Sequence, residues 1–271
     1  PGFLVACFDS YQSMFYTMLC VLVMGMLIQL STDTDEKWAP LWWFLIYASY
    51  IIIHTIGGKW YWRTMKTLSL GSFALLVVYL LGSIRFANLS EYAPLDVSDK
   101  QHPVANVWFH GTALEFFQAL PIACWFFLGV ESLNLASHDA VDPKRDVPRA
   151  YVSSITTLCC TSFCIILVAC SIPPGINVVQ YMLSPLSFGY MLMFDIDLKR
   201  AIWLSMPGIY TSGFGFTYYY SSQVRAMGRS GLANSWLGYD VPYFNTPLPA
   251  LLFGAVIGYA VGLRYHFYPA L

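Results

Sequence analysis

The sequence has few charged residues and lacks the common motifs of soluble enzymes. Of its 271 residues, 11% are Asp, Glu, Lys or Arg, against roughly a quarter in an average soluble domain. The net charge of −1 argues against a nucleic-acid partner. The chain contains no H-E-x-x-H, paired C-x-x-C, phosphate-loop or dinucleotide-binding pattern, and its five histidines suggest no Ser–His–Asp triad. We therefore expect neither an enzyme nor a cofactor or metal site.

The cysteines and the start of the chain bear on compartment and processing. The seven cysteines all lie in apolar runs, at positions 7, 20, 124, 159, 160, 164 and 170. Because none lies in a polar loop, we expect free thiols and no disulfide framework. The chain begins with Pro1, without a basic flank, and shows no signal peptide. This start predicts a fragment or a processed chain.

Apolar residues are abundant instead. The chain is 57% hydrophobic and 17% aromatic, with a mean hydropathy of +0.56. A soluble fold of this size could not bury so much apolar surface, so we predict an all-α polytopic membrane protein with one transmembrane domain over 1–271. A span needs about 20 mostly apolar residues. Seven stretches qualify: 3–30, 38–57, 65–86, 108–136, 150–172, 201–223 and 247–267.

The positions of Lys and Arg predict the orientation. The loops after the second, fourth and sixth predicted spans carry eight of them, and the other side carries six, which eight acidic residues offset. The positive-inside rule then predicts a cytoplasmic N-terminus. We expect the protein to lie in the plasma membrane. Asn88 begins an N-x-S pattern for glycosylation in a loop on the outer side. The semi-polar stretch 173–200 predicts an interfacial or re-entrant helix.

The fourth predicted span is too long for one straight crossing and contains a carboxylate. Apolar character runs from about Val107 to Ser137, and Gly129 is the best candidate for a break. A charge deep in a span costs about 2.5–3.5 kcal/mol on insertion scales. Glu131 is tolerable there if it faces a water-lined cavity, has a partner or is protonated. Alternatively, Glu131 lies close enough to the inner surface to reach water and has no special role.

The stretch D-P-K-R-D-V-P-R-A (142–150) ends the apolar run. Pro143 and Pro148 are expected to stop helix propagation, while Lys144, Arg145 and Arg149 hold the stretch at the inner face. An inner-leaflet anchor is at least as well founded for this stretch as a gating role.

Several blocks resemble the amino acid–polyamine–organocation superfamily, most nearly its amino acid and ethanolamine permeases. W-F-F-L-G-V-E-S (125–132), followed by 142–150, is similar to the family's sixth transmembrane helix and the loop after it. S-S-Q-V-R-A-M-G-R-S-G-L (221–232) resembles the loop after helix eight, with Ala233 where proline is common. N-T-P-L-P-A-L (245–251) resembles the start of helix nine. The resemblance implies part of a LeuT-like inverted-repeat transporter fold, covering helices three to nine only.

The resemblance also implies roles for the residues around the predicted break. Trp125 and Leu128 would offer unwound carbonyls to a substrate ammonium, with the Trp125 indole packing on the substrate. Phe127 would line the site and Gly129 would permit the break. Glu131 would act as a gate or as a proton-linked carboxylate.

Coupling to an ion stays open at this stage. Ser212 and Thr217, in the family's helix eight, are weak candidates for sodium coordination. Hydroxyls in helices more often bond back to their own backbone. Proton coupling and exchange are the other options, and homo-oligomerisation is not decided by the sequence.

These features predict a secondary active permease that moves amino acids or related small amines by alternating access. An inactive, truncated permease fragment is one alternative. A seven-helix receptor is another, but receptors place their N-terminus outside, and no D-R-Y or N-P-x-x-Y stretch is present where one would end a span.

Overall fold

The computed structural model describes residues 2–96, 106–107, 112–137 and 140–267, and these residues are mostly helical. The α-helices, in chain order, are α1 (Gly2–Thr32), α2 (Ala39–Ile56), α3 (Gly58–Ser83), α4 (Leu89–Tyr92), α5 (Ala113–Ala123), α6 (Pro143–Ser171), α7 (Ile176–Val179), α8 (Ser187–Phe194), α9 (Leu198–Arg229) and α10 (Leu248–Phe267). Short 3₁₀ segments cover Glu36–Trp38, Ile84–Phe86, Cys124–Phe127, Val130–Asn134 and Ser235–Gly238. Two-residue strands, β1 (Leu95–Asp96) and β2 (Asn106–Val107), pair antiparallel.

Six helical stretches are long and apolar enough to cross a membrane, within the described ranges. They are Gly2–Thr32, Glu36–Ile56, Gly58–Phe86, Ala113–Asn134, Pro143–Ser171 and Leu248–Phe267. This confirms the all-α, multi-pass class. The sixth predicted span, 201–223, falls within α9, whose 32 residues give the required length but which is not among the six. The count of seven therefore stays a prediction.

The chain forms two compact units. One comprises Pro1–Ala74 with Ser205–Leu271, and the other comprises Leu75–Leu204. All seven cysteines carry free thiols.

In the first unit, two glycines of α10 lie where a side chain would not fit. A Cβ atom at Gly254 would come within 2.3 Å of the Tyr220 ring, and one at Gly258 would come within 2.3 Å of the Tyr47 hydroxyl. Gly262 is buried one turn further on. Tyr220 is fully buried and donates to the Leu251 carbonyl at 2.9 Å. Small residues at this spacing let membrane helices approach closely, and here that approach is made within the unit.

An aromatic cluster joins α2, α3 and α9 in the same unit. The rings of His54 and Phe214 lie 4.3 Å apart, and Tyr61 stacks on Phe214 at 5.4 Å. Tyr50 donates to the Tyr210 carbonyl at 3.1 Å. Such pairs add packing energy beyond their buried area and help hold the three helices together.

The loop after α9 is held by one carboxylate. Asp240 is only 15% exposed and accepts from both Arg225 and Arg229, the latter at 2.6 Å. Gly228 and Gly238 let the two backbones meet, since a Cβ at Gly228 would lie 2.3 Å from the Gly238 nitrogen. The loop therefore folds back on the end of α9.

The second unit is built around α3 and α8. The rings of Tyr79 and Tyr190 lie 5.8 Å apart, and Tyr190 donates to the Leu75 carbonyl at 3.0 Å. Gly189 gives room for this contact, because a Cβ there would lie 2.4 Å from the Tyr79 ring. The stretch 173–200, predicted to hold an interfacial or re-entrant helix, contains the short helices α7 and α8 and the start of α9.

We expect Gly254→Ala to destabilise the first unit. The added methyl would overlap the buried Tyr220 ring, and overpacking of this kind costs about 1–3 kcal/mol. The matched control is Gly71→Ala in α3, where no atom lies within 4 Å of the added carbon, and where alanine favours a helix by about 1 kcal/mol. Thermal unfolding in detergent should show a lower midpoint for Gly254→Ala and an unchanged or higher one for the control. Equal midpoints would contradict the packing of Gly254 on Tyr220.

Candidate functional site

The fourth predicted span begins with a capped helix, and its first residues, 108–111, lie outside the described part of the chain. The Thr112 side chain accepts from the Glu115 nitrogen at 3.4 Å, and the Glu115 carboxylate accepts from the Thr112 nitrogen at 2.5 Å. This reciprocal pair is a capping box. Glu115 therefore has a local structural role at the start of α5.

The helical path is interrupted at Leu128 and Gly129. After α5 ends at Ala123, a 3₁₀ segment continues to Phe127, and Leu128 then takes an extended conformation with φ −64° and ψ 142°. Gly129 is left-handed, with φ 93° and ψ −11°, a conformation that glycine adopts without steric penalty. A second 3₁₀ segment follows from Val130. The predicted break near Gly129 is present, and 108–136 is not one continuous helix.

Side chains after the break satisfy the polar groups of Gly129. The Gly129 nitrogen donates to the Glu131 carboxylate at 3.0 Å, and the Gly129 carbonyl accepts from the Ser132 hydroxyl at 2.5 Å. The Ser132 nitrogen donates to the same carbonyl at 3.2 Å. Glu131 and Ser132 thus close a tight turn around Gly129.

The Trp125 and Leu128 carbonyls were both predicted to lack an intrahelical partner, and the structure distinguishes between them. The Trp125 carbonyl accepts from the Leu128 nitrogen at 3.3 Å. No hydrogen bond in the described part of the chain reaches the Leu128 carbonyl. The extended conformation of Leu128 causes this difference, because it turns that carbonyl away from the donors of the next 3₁₀ segment. Of the two predicted carbonyls, that of Leu128 is therefore the one without a donor in the described residues, and its role as a substrate contact stays a prediction.

The side chains beside the break are exposed. Trp125 is 55% exposed and Phe127 40% exposed, and the Glu131 side chain is also exposed. The Tyr151 hydroxyl, from α6, donates to the Glu131 carbonyl at 3.3 Å. Phe126 is exposed as well, so the segment presents three aromatic rings, one carboxylate and one carbonyl without a partner in the described residues, within seven residues.

The prediction that Pro148 stops a helix is wrong, whereas no helix runs through Pro143, because α6 begins there. Pro143 is the first residue of α6, and Pro148 lies inside the same helix. Proline suits the first helical position, since its missing N–H would have no partner there. Pro148, at the sixth position, removes the hydrogen bond to the Lys144 carbonyl, but α6 continues past it to Ser171. Lys144 and Arg145 are exposed in the first turn of α6. Their roles as an inner-face anchor or gate stay predictions.

The two sodium candidates bond back to their own helix. The Ser212 hydroxyl donates to the Gly208 carbonyl at 3.0 Å, and the Thr217 hydroxyl donates to the Gly213 carbonyl at 2.8 Å. This is the commoner arrangement for hydroxyls in helices. Across the described residues, no group of three or more His, Cys, Asp or Glu side chains is placed to hold a metal ion. A sodium role for Ser212 or Thr217 stays untested.

Two contributors to the site were not predicted from the sequence. Ser132 follows Gly129 by three residues, and that spacing could have signalled a hydroxyl bonded back to the turn. Tyr151 is twenty residues away from Glu131, and no local pattern indicates their contact.

Apolar helices of membrane-spanning length define a multi-pass membrane protein, and one of its apolar stretches is interrupted at Leu128 and Gly129. The amino acid permease family matches residues 2–270, and the chain belongs to this family. No curated protein matches the chain. The family confirms the resemblance seen in the sequence. Its activity is amino acid transport, and it is a family of transporters rather than enzymes.

We expect the left-handed conformation of Gly129 to be required for full transport. A residue with a Cβ atom in this conformation costs about 1–2 kcal/mol, and asparagine tolerates it better than alanine. Initial amino acid uptake into proteoliposomes should fall in the order Gly129, Gly129→Asn, Gly129→Ala.

The matched control is Gly231→Ala. Gly231 also has a positive φ, of 74°, and no atom lies within 4 Å of the added carbon at either glycine. The backbone strain is therefore similar, but Gly231 lies outside the break. If both alanine variants reduce uptake equally, the effect is general strain and not a property of the break.

Proposed function

We propose that this permease moves an amino acid or a related small amine by secondary active, alternating-access transport, with the break at Leu128 and Gly129 as its substrate contact. One observation carries the proposal: the Leu128 carbonyl is an open acceptor beside a left-handed glycine. An ammonium group is a strong donor, and unwound carbonyls at broken membrane helices suit cations. The substrate ammonium would bind at Leu128.

The exposed aromatic rings support the same assignment. Trp125 and Phe127 precede the Leu128 carbonyl by three residues and by one residue, and their rings are exposed. A cation over an aromatic face gains about 0.5–2 kcal/mol, depending on desolvation. Trp125 would contact the ammonium or the carbon atoms of the substrate, and Phe127 would line the site.

Glu131 is the group at the break that could take up a proton during transport. Its carboxylate accepts the Gly129 N–H, and a charged acceptor makes a stronger hydrogen bond than a neutral one. Protonation of Glu131 would weaken this bond and loosen the turn next to the Leu128 carbonyl. Glu131 would therefore act as a proton-linked gate. Exchange of one amino acid for another is the second coupling mode, and it needs no change of charge at Glu131.

We expect Glu131→Gln to remove the stimulation of uptake by an inward proton gradient. Glutamine keeps an oxygen acceptor for the Gly129 N–H but cannot be protonated in the same range. The measurement is uptake of labelled amino acids and ethanolamine into proteoliposomes, with and without the gradient.

Glu115→Gln is the matched control. Glu115 also accepts a backbone N–H, from Thr112 three residues earlier, and glutamine preserves a capping box. The control should retain its response to the gradient. A gradient response that persists in Glu131→Gln would contradict the role of Glu131 as the proton-linked group. Uptake by the unaltered chain without any gradient response would favour exchange, and the lack of any uptake by it would favour the inactive-fragment alternative.

A further inference from the structure

One histidine lies deep in the first unit, where α2, α3 and α9 meet. His54 is 6% exposed and belongs to the last turn of α2, which ends at Ile56. The centroid of its ring lies 4.3 Å from that of Phe214 on α9 and 5.0 Å from that of Tyr61 on α3. An ionisable side chain therefore contacts both neighbouring helices from the inside of the unit.

The two nitrogens of the imidazole differ in their hydrogen bonds. Nδ1 lies 2.7 Å from the Tyr50 carbonyl. Because a carbonyl oxygen only accepts, Nδ1 carries the hydrogen of the neutral ring. Nε2 then has a lone pair, and it is buried without a hydrogen-bond partner in the described part of the chain. Most buried polar groups have such a partner, so Nε2 is a basic nitrogen with unused capacity to accept a proton.

The backbone around the ring offers more acceptors than the neutral imidazole has donors. The Phe214 carbonyl of α9 also lies beside the imidazole, whereas the neutral ring has a single N–H, which the Tyr50 carbonyl of α2 accepts. A ring with N–H groups on both nitrogens would donate to the two carbonyls together. Protonation would therefore join α2 to α9 by a hydrogen bond that the neutral ring does not make.

Two further features favour a positive charge on this ring. The carbonyl end of a helix attracts cations, and His54 lies in the last turn of α2. The faces of aromatic rings attract cations within about 6 Å, and the rings of Phe214 and Tyr61 lie within that distance. Burial opposes the charge. The protonated ring thus has favourable contacts of its own to set against the cost of burial.

The other titratable side chains around His54 are tyrosines. Tyr61 contacts it from α3, and Tyr50 lies one turn earlier on α2, in contact with Tyr210 of α9. Tyr218, also of α9, stacks on Tyr61 at 5.1 Å. Tyrosines are uncharged near neutral pH, and the described contacts of the His54 ring include no Asp, Glu, Lys or Arg. No neighbouring ion among these contacts fixes the charge of His54, so the charge can follow the pH.

We propose that His54 is a proton-binding site of this permease, which takes a proton from water on Nε2 and then joins α2 to α9 at the Phe214 carbonyl. No bond between heavy atoms forms or breaks in this step. The site is separate from Glu131 and does not rest on the substrate contact proposed at Leu128. It makes the packing within the first unit depend on the ambient pH.

The shifts of the imidazole nitrogens in NMR spectra test proton binding directly. The full chain, with a heavy nitrogen isotope in its histidines, is reconstituted in phosphatidylcholine nanodiscs. The pH is then lowered as far as the helical content by circular dichroism stays unchanged. We expect the Nε2 signal of His54 to move from the shift of a bare nitrogen to that of an N–H, while Nδ1 stays protonated. Nitrogen shifts of His54 that are constant over this whole range would overturn the proposal.

The assignment of these signals does not depend on one variant. The signals of His54 are those that are lost in His54→Gln. If this variant misfolds on size-exclusion chromatography, the other four histidines are replaced by glutamine one at a time, and the remaining signals belong to His54. The four are His102, His110, His138 and His266.

Uptake at equal pH on both sides of the membrane tests whether the site acts on transport. Glu131→Gln is the background, so that protonation of Glu131 does not contribute. We expect initial uptake of labelled amino acids by this background to change several-fold between about pH 5 and about pH 8, and the added His54→Gln to remove that change. The matched control is the added His266→Gln, because His266 also packs against an aromatic ring, that of Trp43 at 5.4 Å. The control should keep the response.

The possible failures give different results. An equal pH response with and without His54→Gln would overturn the effect of His54 on transport. The absence of uptake in every variant would count against the transport proposal alone, because the NMR titration decides proton binding at His54 without any transport.

Discussion

The hydrogen-bonding demand of the backbone at membrane depth is the constraint on which the rest of this structure depends. An unpaired backbone group costs several kcal/mol in hydrocarbon, so spanning segments must satisfy their own groups. The long helices of this chain do so through their internal hydrogen bonds, except where Pro148 in α6 and Pro207 in α9 supply no N–H. The stretch around Leu128 and Gly129 departs from this rule, and its extended and left-handed residues leave the Leu128 carbonyl without a partner in the described residues. Such a departure is stable only where water or a ligand reaches the backbone.

The polar groups of Gly129 are hydrogen-bonded by residues two and three positions further along the chain. Glu131 accepts the Gly129 N–H, and Ser132 donates to the Gly129 carbonyl. A change of charge on Glu131 would therefore act on the residue next to the open carbonyl, without a relay through distant elements. The contact of Tyr151 with the Glu131 carbonyl extends the same network to α6.

Helix α10 has one face that packs against other helices of the first unit and another face that is exposed. Its glycines at 254, 258 and 262 recur every four residues and lie on one face, which packs inside the first unit. Its bulkier apolar residues, such as Leu252 and Val256, lie on another face and stay exposed. Because the two sets are offset by two positions, close helix packing and an exposed apolar face coexist on a single segment.

The sequence by itself determined the membrane class, the approximate spans, the break at Gly129 and the permease family. These follow from local quantities: the length of apolar runs, the freedom of glycine and the order of residues in a motif. It did not determine that α6 begins at Pro143, because only the fold decides whether a proline falls at a first helical position or in a loop. It also did not determine that the Trp125 carbonyl is bonded while the Leu128 carbonyl is open, since one backbone rotation separates the two outcomes. The shared pairing of Asp240 with Arg225 and Arg229, and the contact of His54 with Phe214, were likewise decided by tertiary structure. They join residues far apart in the chain, and no local pattern encodes which distant segments will meet.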